Sequence, residues 1–142
     1  MTKKTPSGDS DYIRVSQVMT PSPVVIDGLA TVADAVALMT EKSVSSLIID
    51  RRDDGDEYGL VVMADIADKV IAPDRAPDRV DVYEIMSKPV LTVEGGMNIK
   101  YAVRLLNRFH LSRALVVEHG RLVGIVTMRD MVLRYFAAAV RA

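Results

Sequence analysis

The chain has 142 residues, of which 49% are hydrophobic and 26% charged, a balance that suits a packed core and excludes a disordered chain. Its 18 basic residues face 19 acidic ones, so there is no global pull toward nucleic acid or an anionic membrane, and the lack of cysteine excludes disulfides and thiolate catalysis. His110 and His119 form no metal-binding spacing, no apolar run has the length of a membrane span, and the default expectation is a cytoplasmic protein.

Residues 1–11, MTKKTPSGDSD, read as a flexible polar lead without the hydrophobic core of a secretion signal. Val18–Ile26, VMTPSPVVI, is a proline-rich entry into a first short strand. Val32, Ala35, Val36 and Met39 then share one helical face, with Thr31 as N-cap and Asp34 completing a capping box. Leu47-Ile48-Ile49 reads as a strand, and Asp50–Tyr58, DRRDDGDEY, as a solvated hairpin tip. The next strand runs from Gly59 to Met63, with a closing helix from near Asp65 that ends at the prolines of Ala72–Arg79.

The same order then recurs. Ile85–Val93, IMSKPVLTV, repeats the first entry, with Met86 lying 67 residues after Met19. Ile99, Ala102, Val103 and Leu106 repeat the helix face, and Leu115-Val116-Val117 repeats the strand. Glu118–Arg121 is a shorter turn, Leu122–Thr127 the next strand, and a last helix starts near Asp130 and runs through Met131, Val132, Tyr135 and Phe136. The expected class is α+β, two β-α-β-β-α repeats packed sheet to sheet with pseudo-two-fold symmetry and two clefts between them. The expected boundaries are repeat one at 12–72, a linker at 73–81 and repeat two at 82–142. A lone repeat of about 60 residues is only marginally stable, so the pair is the physical unit.

These ordered motifs resemble a tandem pair of CBS domains, a Bateman module: VMTPSPVVI, VSSLIID and GLVVMAD in repeat one, and IMSKPVLTV, LSRALVVE and GIVTMRD in repeat two. The resemblance covers residues 12 to 138 and implies a non-catalytic regulatory module. Its ligand would be AMP, ADP, ATP or S-adenosylmethionine, more rarely a dinucleotide or NADH, held in the inter-repeat clefts. It would report energy or metabolite state to an effector protein that the sequence does not identify.

The residues agree with that chemistry. A carboxylate at a helix start can accept hydrogen bonds from both hydroxyls of a ribose, and a threonine three residues earlier can face the same sugar or the α-phosphate. The resemblance assigns ribose binding to Thr127 and Asp130; on the residues alone Asp130 also reads as an N-cap, and the two roles are compatible. Asp65 keeps the carboxylate, but Val62 stands where Thr127 does, so the Asp130 cleft is expected to be the tighter one. Adenine needs an apolar slot with main-chain partners. The candidates are Thr20, Pro23, Val25 and Val44 from repeat one and Ser87, Pro89 and Leu91 from repeat two, against the simpler reading of the apolar ones as core. The resemblance implies that the Asp130 cleft draws on Thr20, Pro23, Val25, Val44 and Ser45. The resemblance points to Arg113 for phosphate, with Arg129, Ser45 and Ser112 as further candidates; a guanidinium fork suits phosphate, against the simpler reading of each arginine as solvated surface.

An enzyme is the weakest reading, since no nucleophile–base pair, metal cluster or phosphate-cradling loop is present. Nucleic acid is not expected at PDRAPDR, where each arginine has an aspartate beside it. The competing class is a structural or dimerisation module with empty clefts. The resemblance implies a homodimer in either case, through a helical face offering Met39, Leu106, Met131, Val132, Tyr135 and Phe136, against the simpler reading of these residues as intramolecular core.

Overall fold

The computed structural model describes residues 12–140. The polar lead at 1–11 lies outside the described residues. The elements are β1 (Thr20–Pro21), β2 (Val25–Ile26), α1 (Val32–Lys42), β3 (Ser46–Ile49), β4 (Gly59–Val62), α2 (Met63–Ile66), β5 (Thr92–Glu94), α3 (Ile99–Arg108), β6 (Arg113–Glu118), β7 (Arg121–Thr127) and α4 (Met128–Val140). The class is mixed α+β, with four α-helices and two sheets among the described residues.

Two compact units are formed, and they exchange their leading segments. Pro23–Val90 makes one, here the Asp65 unit. The described residues of Met1–Ser22 and Leu91–Ala142 make the other, the Asp130 unit. Segment 77–90, which the sequence divides between linker and second repeat, thus folds with the first repeat. Its hold is specific: the Val32 N–H donates to the Val80 carbonyl at 2.8 Å, and Val80, Val82 and Ile85 are buried in that unit's core.

The Asp65 unit carries a three-stranded sheet in the order β2-β3-β4, with β2 parallel and β4 antiparallel to β3. The Asp130 unit repeats this as β5, β6 and β7 and adds β1 beside β7, giving the order β1-β7-β6-β5. The two-residue β1 has no periodicity to betray it, and it joins the sheet of the other repeat.

The recurring glycines have a packing reason. A Cβ on Gly124 would stand 2.5 Å from Met19 Sδ and 2.8 Å from the Thr20 carbonyl oxygen; one on Gly59 would stand 2.5 Å from Met86 Sδ. Each repeat's strand glycine therefore receives the methionine of the exchanged entry segment.

Helix signals hold at α1, where Thr31 Oγ1 accepts from the Asp34 N–H and the Asp34 carboxylate accepts from the Thr31 N–H, both at 3.1 Å. Val32, Ala35 and Met39 are buried as expected, whereas Val36 is exposed. Met39, Leu106 and Met131 are core residues with at most 1% exposure, so they offer nothing to a partner surface. A helical period marks a buried face and an interface face alike.

Candidate functional site

Each unit ends its last strand at a strand-to-helix corner. In the Asp130 unit, β7 stops at Thr127 and α4 begins at Met128. The first free N–H groups of α4 find two acceptors: the Ser112 carbonyl takes that of Met128 at 2.8 Å, and Thr127 Oγ1 takes that of Asp130 at 3.1 Å. Thr127 is therefore the cap and Asp130 sits in the helix's first turn. The alternative of Asp130 as N-cap is corrected. Its side chain is 37% exposed, and the ion pair described for it is with Arg129, at 3.9 Å. The Thr127 hydroxyl keeps its own O–H for a further acceptor.

Arg113 opens β6 directly opposite Thr127 in the antiparallel ladder. Cross-strand partners share a sheet face at about 5 Å between Cβ atoms, so Arg113, a half-buried residue, and Thr127 project from the same face of the sheet. Thr20 on β1 pairs with Ile125 of β7, two residues before Thr127, and is exposed. Five sequence-predicted residues, Thr20, Ser112, Arg113, Thr127 and Asp130, thus converge on one corner. Arg129 has an 80% exposed side chain and is a surface cation there.

The Asp65 unit builds the same corner differently. The Ser45 carbonyl accepts from the Met63 N–H at 3.2 Å, as Ser112 does for Met128. Val62 has no hydroxyl, and the reciprocal half of a capping box takes over: Asp65 Oδ2 accepts from the Val62 N–H at 2.9 Å. Lys69 Nζ lies 3.7 Å from Asp65 Oδ1 and donates to the Ile85 carbonyl at 3.1 Å. Lys69 belongs to a π-helical turn, Ala67–Ile71, that continues α2. Ser46 faces Val62 across the ladder where Arg113 faces Thr127. Ser87 bridges Leu60 of β4 as Thr20 pairs with β7. Sequence reasoning missed Lys69, though its i,i+4 spacing from Asp65 was a usable signal.

The remaining candidates are distributed as follows. Pro23, Val25, Val44 and Pro89 belong to the Asp65 unit, with Val25 exposed and Val44 half-buried against the core. Leu91 packs against the Asp130-unit core. The hairpin tip is mostly exposed but is tied to its own unit, since Asp56 pairs with Lys88 at 2.6 Å and Arg52 at 3.1 Å. Those contacts, the Lys88 hydrogen bond foremost, hold the Asp56 carboxyl well below the usual range.

The family model for the CBS domain matches residues 15–72 and 82–136. The chain belongs to the CBS-domain family. It is a CBS pair and resembles other CBS pairs over most of its length. A hexameric CBS-CP12 protein from bloom-forming cyanobacteria shares 38% identity and a TM-score of 0.81, over 87% of this chain and 71% of that one. A CBS-domain protein of Pyrobaculum aerophilum, solved in complex with AMP, shares 22% identity and a TM-score of 0.76, over 92% of this chain and all of that one; at that identity it supports the fold alone. An uncharacterised protein of Methanopyrus kandleri is 34% identical over 80% of this chain, which spans 56% of that relative's length.

Two hollows lie away from the corners of this CBS pair. One, of about 580 Å3 in the Asp65 unit, is bounded by Ile49, Met86, Tyr83, Leu29 and charged residues of the hairpin tip, at the opposite end of β3 from Ser46. The other, of about 490 Å3 in the Asp130 unit, lies along α3 and α4 beside Val103, Val132 and Phe136. Among the described residues no helix is long and apolar enough to cross a membrane, and no three His, Asp or Glu side chains are grouped to hold a metal.

Proposed function

We propose that this CBS pair is a regulatory module that binds an adenosine ligand, AMP, ADP, ATP or S-adenosylmethionine, at the Thr127–Asp130 corner and acts on a separate effector protein. The observation that carries this reading is the arrangement there: a solvent-accessible Asp130 carboxylate for the ribose diol, and Arg113 facing Thr127 for a phosphate or carboxylate. The ligand class is the one the CBS-domain family implies, and the Pyrobaculum aerophilum protein, which shares the fold, was solved in complex with AMP. Within the Asp130 unit, Thr20 and Leu91 are the proposed base-site residues, and Ser112 and Arg129 the secondary phosphate contacts. The role is binding, not catalysis.

Thermal denaturation with each ligand, on wild type and Asp130→Ala, tests this. A ligand at 100 times its Kd stabilises the fold by about 2.7 kcal/mol. A shift with one adenosine ligand that disappears in the variant is expected; no shift with any of them refutes the reading. A structural role in self-association is the second reading. It is favoured by the exposed Val132 and Phe136 beside the α3–α4 groove and by the hexamer formed by the cyanobacterial protein.

A further inference from the structure

We infer that Lys69 is an internal occupant of the first-repeat site: it satisfies the Asp65 carboxylate from within, so the chain takes one adenosine ligand and not two. The inference rests on the ribose-binding reading of the Asp130 corner and deepens it.

Asp65 and Asp130 each occupy the first turn of a helix, and each has a cation four residues on, Lys69 and Arg134. Arg134 is drawn off: its Nη1 donates to the Gln17 carbonyl at 3.2 Å, and among the described residues Asp130 pairs with the exposed Arg129, at 3.9 Å, and not with Arg134. Lys69 instead lies between the Ile85 carbonyl and Asp65 Oδ1. The second oxygen, Oδ2, is held by the Val62 N–H. Both oxygens of Asp65 thus have intramolecular partners, and its side chain is 18% exposed against 37% for Asp130.

A ribose diol must compete with those partners for the remaining acceptor sites of a carboxylate that is 18% exposed. In the Asp130 unit the helix start is capped by the Thr127 hydroxyl, which leaves the carboxylate out of the cap. In the Asp65 unit Val62 cannot cap, so the carboxylate does, and a diol approaching Asp65 competes with the helix's own N–H as well as with an ammonium. Ser46 supplies no cation opposite Val62 to offset that competition, whereas Arg113 stands opposite Thr127. Val62 and Lys69 therefore act together: one recruits the carboxylate into the cap, the other neutralises it. Lys69 is a positioning residue, acting on a ligand through Asp65.

The test is isothermal titration with AMP as the probe, on wild type, Asp65→Asn, Lys69→Gln, Val62→Thr/Lys69→Gln, and that double variant with Asp65→Asn added. Wild type is expected to bind one AMP per chain, unchanged in Asp65→Asn. The double variant is expected to bind two, the second within about tenfold of the first and abolished by Asp65→Asn. Lys69→Gln alone changes an exposed side chain, keeps the fold, and is expected to show the second site more weakly. A wild type that binds two AMP, one of them lost in Asp65→Asn, overturns the inference. So does a double variant that gains no site. If wild type binds no AMP while the double variant binds one that needs Asp65, the Lys69 inference stands and the Asp130 reading fails.

Discussion

Asp130→Asn separates ligand binding from helix capping, with Thr127→Val as the reference for loss of the cap. The cap bond runs from the backbone N–H of residue 130 to Thr127 Oγ1 at 3.1 Å. Asp130→Asn leaves that bond in place and removes only the charge of a partly exposed carboxylate. Apo stability should stay within about 0.5 kcal/mol of wild type, as for an ordinary surface change. Ligand affinity should fall, because hydrogen bonds to a charged group contribute roughly 1.5–3 kcal/mol; a loss of about 2 kcal/mol is roughly thirtyfold. At a concentration of 100 times the wild-type Kd, ligand stabilisation then drops from about 2.7 to about 0.9 kcal/mol. With about 3 °C per kcal/mol for a chain of this size, the ligand-induced shift in Tm shrinks from about 8 °C to about 3 °C. Thr127→Val does the reverse in the apo protein, removing the cap at a cost of about 1 kcal/mol, or about 3 °C. Differential scanning fluorimetry with and without AMP reads both quantities. If Asp130→Asn lowers the apo Tm as much as Thr127→Val and leaves the ligand shift intact, Asp130 is a structural residue and the reasoning is wrong.

Gly124→Ala should destabilise by about 1–3 kcal/mol in urea unfolding, because the new methyl meets the Thr20 backbone carbonyl as well as Met19. Gly59→Ala should cost less, since its nearest neighbours are the flexible Met86 and the Ile49 side chain; equal losses would refute the packing account. Asp56→Asn should destabilise at pH 7. Asp56's folded pKa lies below its ordinary 3.8, so its contribution is present above 3.8 and is lost as pH falls through the folded value. The gap between wild type and variant, measured by urea unfolding from pH 7 to pH 3, should narrow below about 3.8, and a gap that widens in acid contradicts the ion pair. Thr31→Ala removes one half of the reciprocal Thr31–Asp34 cap and should cost about 1 kcal/mol, read as a lower midpoint in the same titration.

Much of this protein was legible in the order of its residues. The repeat shows as motifs recurring about 67 residues apart, whereas the helix faces from Val32 and Ile99, the Thr31–Asp34 box and the Thr127–Asp130 pair depend on spacings of three or four residues, which local backbone geometry turns directly into shared faces and caps. The family resemblance rests on the ordered motifs of the two repeats, and the family match agrees with it. Tertiary structure decided what spacing cannot carry. The strand β1 exists only because β7 offers it an edge, and Met19 packs on Gly124, more than a hundred residues away. Arg113 stands at Thr127 through ladder register. The two aspartates carry the same letter at matched positions, yet one carboxylate is drawn into its helix cap and toward Lys69 while the other remains accessible. That difference turns on whether the residue three positions earlier brings a hydroxyl to the helix start, and on which carbonyl holds the cation four positions later. A sequence motif names the residues; only the folded chain determines which partner each of them meets.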